Sequence, residues 1–310
     1  MQAPAIRIGT RGSPLALAQA HEVQGLLAKA HGLANERISI TVIKTSGDQI
    51  LDRPLAEIGG KGLFTKEIED ALLAHTIDVA VHSMKDMQTA LPRGLRVGAV
   101  LPREDVRDAF ISLKYKTLAD VPAGSTIGTS SLRRQAQLLN ARPDLHVIGF
   151  RGNVQTRLKK LQDGVADATF LAVAGLNRLG MSERVSEAVA VEQMLPAVAQ
   201  GAIGLEIRDD DAATAIFIAP LNSAETALAV TAERAFLAEL EGSCRTPIAG
   251  YARLDHGLLN FRGQVLSPDG KKAYAVQRNG PPGQALQIGI GAAREVLALA
   301  DPEILVKTSA

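Results

Sequence analysis

Apolar and polar positions in this chain switch between a helical and a strand period, and the switching divides the chain into three parts. Ala5 to Gly9 is a short apolar run that predicts a buried strand, and Ser13 with Pro14 reads as an N-cap followed by a proline in the first helical turn. Ala16, Ala20, Val23, Leu27 and Ala30 then recur at spacings of four and three, which predicts a helix with one apolar stripe, stopped at Gly32. The pattern repeats as a strand over Ile38 to Lys44, a glycine-rich loop through Gly62, a helix over Thr65 to His75 and a strand over Ile77 to Val81. A second set follows: strands at Ala109 to Leu113, Thr126 to Gly128, Val147 to Phe150 and Ala168 to Val173, with helices at Ser131 to Ala141 and Val154 to Leu161. Strand and helix alternating twice over predicts two α/β units.

The apolar run Ala202 to Ile207 reads as one more strand, and Pro196, Gly201 and Gly204 suit a segment that crosses back to the first unit. Asn222 with Glu225 forms a capping-box signature for a long helix ending near Leu240, with Leu228, Ala232, Ala235 and Leu240 facing inward. Beyond it the period becomes two, over Ile248 to Leu254, Leu258 to Leu266 and Lys272 to Arg278, separated by turn residues. A last helix runs from about Gln284 to Leu299. The expected architecture is therefore two α/β domains, 1–100 plus 197–220 and 104–194, and a small α+β domain, 222–310, built on a three-stranded antiparallel sheet.

Composition narrows the function. The 310 residues are 46% hydrophobic and 22% charged, ordinary globular values. The formal net charge is +1 and aromatics are 3%, which argues against a nucleic-acid partner or a base-stacking platform. No run approaches the ~18 apolar residues of a membrane span, and the first residues lack the order of a secretory signal, so the expectation is a cytoplasmic protein without membrane partners. A single cysteine, Cys244, excludes an internal disulfide and a multi-thiolate metal site. No metal is expected.

Candidate chemistry gathers in a few strings. Between Ser130 and Gly164 lie Arg133, Arg134, Arg142, Arg151, Arg157, Lys159 and Lys160 against Asp144 and Asp163. Beside them Gly128-Thr129-Ser130-Ser131 joins a strand to a helix, where hydroxyls, amide N–H groups and the positive helix end suit a carboxylate or phosphate. These arginines read either as solvated helix faces or as anion clamps, and their clustering favours clamps. Arg11, Gly12 and Ser13 repeat the arrangement at the first strand-to-helix junction. Asp86, in Val81-His82-Ser83-Met84-Lys85-Asp86 at a strand end, is the best acid candidate, with Lys85 as a ligand for an anion or an ion partner. Gly59-Gly60-Lys61-Gly62 fails the phosphate-loop pattern, since Leu55 and Gly62 stand where it requires Gly and Ser or Thr. Cys244, in Glu241-Gly242-Ser243-Cys244-Arg245-Thr246-Pro247, sits on a loop and is either an inert packing residue or a reactive thiol.

Taken together, Val81 to Asp86, Gly128 to Arg134, Arg151-Gly152-Asn153-Val154 and the Cys244 loop closely resemble the porphobilinogen deaminases, with Gly9-Thr10-Arg11, Gly59 to Phe64 and Leu171 to Leu176 extending the match. The resemblance implies a transferase with two periplasmic-binding-protein-like domains flanking a cleft and a third domain presenting a dipyrromethane cofactor, held by a thioether to Cys244. It implies that four porphobilinogen molecules are deaminated and added to this primer, and that hydrolysis releases hydroxymethylbilane for haem and porphyrin biosynthesis by a monomeric enzyme. By analogy, Asp86 is catalytic. Lys85, Asp86, Thr129, Ser131, Arg133, Arg134 and Arg157 would hold the cofactor, and Arg11, Ser13, Arg151 and Arg157 the substrate carboxylates. The chain departs from the family pattern at Ser243 and Ala199, where glycine is usual, and at Gln88, where proline is. The Ala199 change bears on the hinge rather than the chemistry. The competing expectation is a non-catalytic two-domain anion-binding protein, which leaves the third domain unexplained.

Overall fold

The computed structural model describes residues 5–49, 62–241, 247–301 and 304. The chain opens with β1 (Ile6–Thr10), α1 (Pro14–His31), β2 (Ile38–Val42), a short α2 (Ser46–Gln49), α3 (Lys66–Leu73), β3 (Val79–Ser83) and β4 (Leu95–Val100). It crosses to β5 (Asp108–Ser112), β6 (Thr126–Gly128), α4 (Leu132–Ala141), β7 (His146–Ile148), α5 (Val154–Gln162), β8 (Ala168–Ala172), α6 (Val173–Arg178) and β9 (Glu187–Val189). It returns with β10 (Ile203–Arg208) and α7 (Ala212–Ile218), and ends in α8 (Ala224–Glu239), β11 (Ile248–Asp255), β12 (Leu258–Leu266), β13 (Ala273–Gly280) and α9 (Ala285–Leu299). No single helix among the described residues is long and apolar enough to cross a membrane.

Two compact units result. The first gathers described residues up to 49, 62–104 and 201–227; the second holds 105–200 and those from 228 onward. The sheet of the first unit has the order β2-β1-β3-β10-β4, and the α/β sheet of the second has β7-β6-β8-β5-β9. In each, three parallel strands are followed by one that runs antiparallel to both of its neighbours, β10 in the first and β5 in the second. Each antiparallel strand follows a crossing of the chain, so the two sheets are copies of one topology, as expected of two periplasmic-binding-protein-like α/β domains. The C-terminal sheet is antiparallel in the order β11-β12-β13.

Local chemistry explains the elements. The Ser13 hydroxyl accepts the Ala16 N–H at 3.3 Å and Gly32 ends α1 in the left-handed conformation, φ 60°. The stripe of α1 buries Ala16, Ala20, Val23 and Leu27 and then turns onto Ala28, leaving Ala30 exposed. Ile6, Ile8, Val79, Val81, Leu205 and Ile207 complete that core. At α8 the expected capping box is absent: Ser223 accepts the Thr226 N–H at 3.3 Å, while Asn222 accepts the Val100 N–H at 2.9 Å and stitches β4 to the helix start. The C-terminal core pairs Phe236 of α8 with Phe261 of β12, their ring centroids 5.0 Å apart, and Ile288, Ala292 and Val296 of α9 close it.

Five elements escape the periodicity. α2, β9, α6 and α7 are four, three, six and seven residues long, too short to show a period. In β4 the alternation is broken by Gly98, where a Cβ would meet Ile207 at 2.7 Å.

Two buried acids hold the segment 195–200 that leaves the second unit. Glu233 of α8 accepts the Ala199 N–H at 2.6 Å and the Ala252 N–H at 2.7 Å, and Asp108 accepts Gln200 Nε2 at 3.0 Å. Ala199 itself is left-handed, φ 59°, a conformation costing an L-residue about 1 kcal/mol that glycine avoids. Ala199→Gly is therefore expected to raise the thermal midpoint by roughly 1–3 °C, read by calorimetry. A lower midpoint would mean that the added freedom of the unfolded chain outweighs the relieved strain.

Candidate functional site

Two clusters of the sequence-identified residues form, one in each unit. In the first, β1 and β3 run parallel and both end at the same edge of the sheet, so the segments leaving them meet. Arg11 and Ser13 come from the turn after β1, and Ser83 and Asp86 from the end of β3. They line one open pocket together with Gln19, Phe64, Thr65 and His82. Asp86 is exposed at the end of a single 3-10 turn, Met84–Asp86. That turn is anchored by the buried Met84, whose N–H donates to the Ala202 carbonyl at 3.0 Å. Gly204, across the sheet, leaves room for it, since a Cβ there would sit 2.0 Å from the Met84 sulfur and force that side chain to move. Lys85 is half-buried beside Asp86 and engaged in an interaction of its own.

Sequence reasoning missed Gln19, Phe64 and His82. Gln19 is a buried polar residue on the apolar side of α1, exchanging hydrogen bonds with the Ser83 hydroxyl at 2.8 and 3.1 Å. Its signal was a polar residue placed between the buried Ala16 and Ala20. Phe64 stacks under the Arg11 guanidinium, 4.2 Å from carbon to ring centroid, which orients that cation at the pocket. An aromatic beside a glycine-rich loop, in a chain so poor in aromatics, was the available hint.

In the second unit Gly128 ends β6, packed so closely that a Cβ would strike the Phe150 ring at 2.5 Å. The hydroxyls of the following turn are used locally: Thr129 accepts the Ser131 N–H at 3.2 Å, Ser130 the Phe150 N–H at 2.8 Å, and Ser131 caps α4 through the Arg134 N–H at 3.4 Å. Arg133 and Arg134 are neither solvated nor aimed outward. Both are buried against Asp108, which itself has no exposure. Arg133 reaches Asp108 at 2.7 Å and the Leu195 carbonyl at 2.8 Å. Arg134 holds the other Asp108 oxygen at 2.7 and 3.1 Å and the Phe170 carbonyl at 2.8 Å. Burial alone would raise the Asp108 carboxyl, but the two arginine charges outweigh it and hold the group far below the ordinary carboxylate range. The free-clamp expectation for this pair thus meets a buried Arg–Asp–Arg hub.

Arg151 and Arg157 lie on the turn into α5. Gly152 takes φ 124° there, Asn153 caps the helix through the Thr156 N–H at 2.8 Å, and Arg157 Nε donates to the Gly152 carbonyl at 2.8 Å. Arg151 Nη1 is buried without a hydrogen-bond partner, and so is Arg133 Nε. Arg151, half-buried, suits an incoming carboxylate, whereas Arg133 Nε is closed off with the rest of its side chain. Gly59 to Lys61 and Cys244 lie outside the described residues. Among the described residues no group of His, Cys, Asp and Glu forms a metal site.

Comparison with known proteins covers both halves of the chain. A family model for the porphobilinogen deaminase dipyromethane cofactor binding domain matches residues 6–216, and one for the porphobilinogen deaminase C-terminal domain matches 227–298. A porphobilinogen deaminase of Paracoccus denitrificans is 60% identical over 291 residues, 94% of this chain and 93% of that protein. A chloroplastic porphobilinogen deaminase of Oryza sativa is 56% identical over 302 residues, 96% of this chain and 84% of that protein. Among solved structures, a putative methionine-binding lipoprotein from Bacillus subtilis is 16% identical with a TM-score of 0.44, covering 70% of this chain and 89% of that one.

Proposed function

Because the chain belongs to the porphobilinogen deaminase family over almost its whole length, we propose that it deaminates four porphobilinogen molecules and links them on a dipyrromethane primer attached to Cys244. It is an enzyme of the tetrapyrrole-polymerising transferase type. The non-catalytic anion-binding reading is set aside, since the family also accounts for the C-terminal domain. The observation that carries the proposal is Asp86, an exposed carboxylate sharing one pocket with Arg11 and Ser13.

The residues fit the cofactor. Dipyrromethane and porphobilinogen carry acetate and propionate groups, and the half-buried Arg151, whose Nη1 has no hydrogen-bond partner, is a donor for such oxygens. Arg11, Ser13, Arg151 and Arg157 would bind substrate carboxylates. Lys85, Thr129, Ser131, Arg133, Arg134 and Arg157 would hold those of the cofactor, with Arg133 and Arg134 acting mainly by fixing Asp108. When bound, the cofactor supplies the nucleophilic pyrrole carbon to which substrate is joined. Asp86 accepts hydrogen bonds from pyrrole N–H groups, stabilises the cation left when the substrate C–N bond breaks and the amine departs, and takes up the proton later lost from the ring carbon. The proposal includes three domains, 1–100 plus 197–220, 104–194 and 222–310, and a monomer working in the cytoplasm.

Intact mass tests the covalent part. Protein purified from cells is expected to exceed its sequence mass by one dipyrromethane, and Cys244→Ala prepared alongside to match its own sequence mass and lack turnover. Unmodified wild-type protein that stays unmodified after incubation with porphobilinogen would remove Cys244 from the reaction.

A further inference from the structure

Behind the inner wall of the Asp86 pocket lies a set of buried ionisable groups that the mechanism above does not use. His82 of β3 lines the pocket, and its Nε2 lies 3.0 Å from Oε2 of Glu206 on β10. β10 pairs with β3 so that Glu206 stands opposite Ala80 and Gly204 opposite His82, which puts both side chains on one face of the sheet. That face is covered by α3, whose Ile68 and Leu72 pack with Ala80 and whose Glu69 is 4% exposed. Glu206 has no exposure and His82 5%. Oε1 of Glu206 and Oε1 of Glu69 are both buried without a hydrogen-bond partner.

Two bare carboxylate oxygens on one buried face are costly, with the Thr65 hydroxyl also buried without a partner, and a proton on one carboxyl would remove a charge and supply a donor. The surrounding charges select the carrier. On α3, Asp70 is paired with Lys66 at 2.6 Å. On β10, Arg208 is committed to the Leu72 and Ile77 carbonyls, at 2.8 Å each, and to Asp211. On β3, His82 already serves Glu206. Burial, the largest influence, raises the Glu69 carboxyl above its ordinary value. The Thr65 hydroxyl opposes this, the Glu206 charge adds to it, and His82 opposes it.

We propose that Glu69 is a positioning residue of this enzyme: held as the neutral acid, it donates its proton to the bare oxygen of Glu206 and locks the Glu206–His82 pair that walls the Asp86 pocket. The link to turnover rests on the reading of Asp86 given above, whereas the protonation of Glu69 does not. A group whose value is raised by folding contributes stability that is complete below the ordinary glutamate range and is lost as pH rises through the folded value. Glu69→Gln keeps a donor at every pH and escapes that loss.

The experiment joins melting curves with kinetics. The midpoint of Glu69→Gln minus that of wild type is expected to grow by about 2 °C or more between pH 5 and pH 8. Glu69→Ala is expected to lower kcat about tenfold with KM nearly unchanged, and Glu69→Gln to restore kcat to within about twofold. Melting curves of wild type and Glu69→Gln that stay parallel with pH would overturn the neutral acid, with no substrate involved. Full kcat in Glu69→Ala would overturn the positioning role even if the protein does catalyse the proposed reaction.

Discussion

Asp86→Asn is expected to cut turnover by about 10³-fold while leaving the thermal midpoint within about 1 °C of the wild type. The carboxylate is exposed on a turn held from beneath by Met84 and Gly204, so an isosteric amide disturbs no packing. What the amide lacks is the negative charge that stabilises the substrate cation, and a basic oxygen to take the ring proton. Ammonia release from porphobilinogen measures the effect directly. Turnover near the wild-type rate with an intact fold would show that another group carries the proton and would leave Asp86 a binding residue only.

Asp108→Ala is expected to be the most destabilising single change in the second unit, by about 3–5 kcal/mol, because it strands two buried guanidinium groups without their shared counter-charge. It would also remove one of the acceptors of Gln200, whose Nε2 keeps the Val106 carbonyl at 2.7 Å, and loosen the segment 195–200, to which Arg133 is tied through the Leu195 carbonyl. The native carboxyl is held so far down that its contribution is complete above the ordinary aspartate range and lost only in strong acid, so the deficit of the variant is expected to be constant from pH 5 to pH 8. Chemical denaturation across that range checks both statements. A loss under 1 kcal/mol would mean that relaxation and water compensate the two arginines.

These two residues mark how far the chain could be read without its structure. Asp86 was legible because function placed it against the pattern, a carboxylate at the end of an apolar strand where α/β sheets present reactive groups. Asp108 was not, since one acid at the start of an apolar run carries no sign of the arginines 25 and 26 residues further on. Arg133 and Arg134 were found for their charge, yet their direction depended on how α4 packs over β5. The Glu69, Glu206 and His82 group was invisible for the same reason, its members being 13 and 124 residues from one another along the chain.

The amino-acid sequence by itself determined the alternation of strands and helices, the caps at Ser13 and Gly32, the antiparallel C-terminal sheet and the family, because each is written in local spacing or in contiguous strings. Only the tertiary structure decided that β10 lies between β3 and β4, that Asn222 serves Val100 instead of its own helix, and which cations are spent inside the protein. The physical reason is that a buried charge or an orphaned amide is satisfied by whichever partner the fold brings within about 3 Å, and that partner can come from anywhere in the chain.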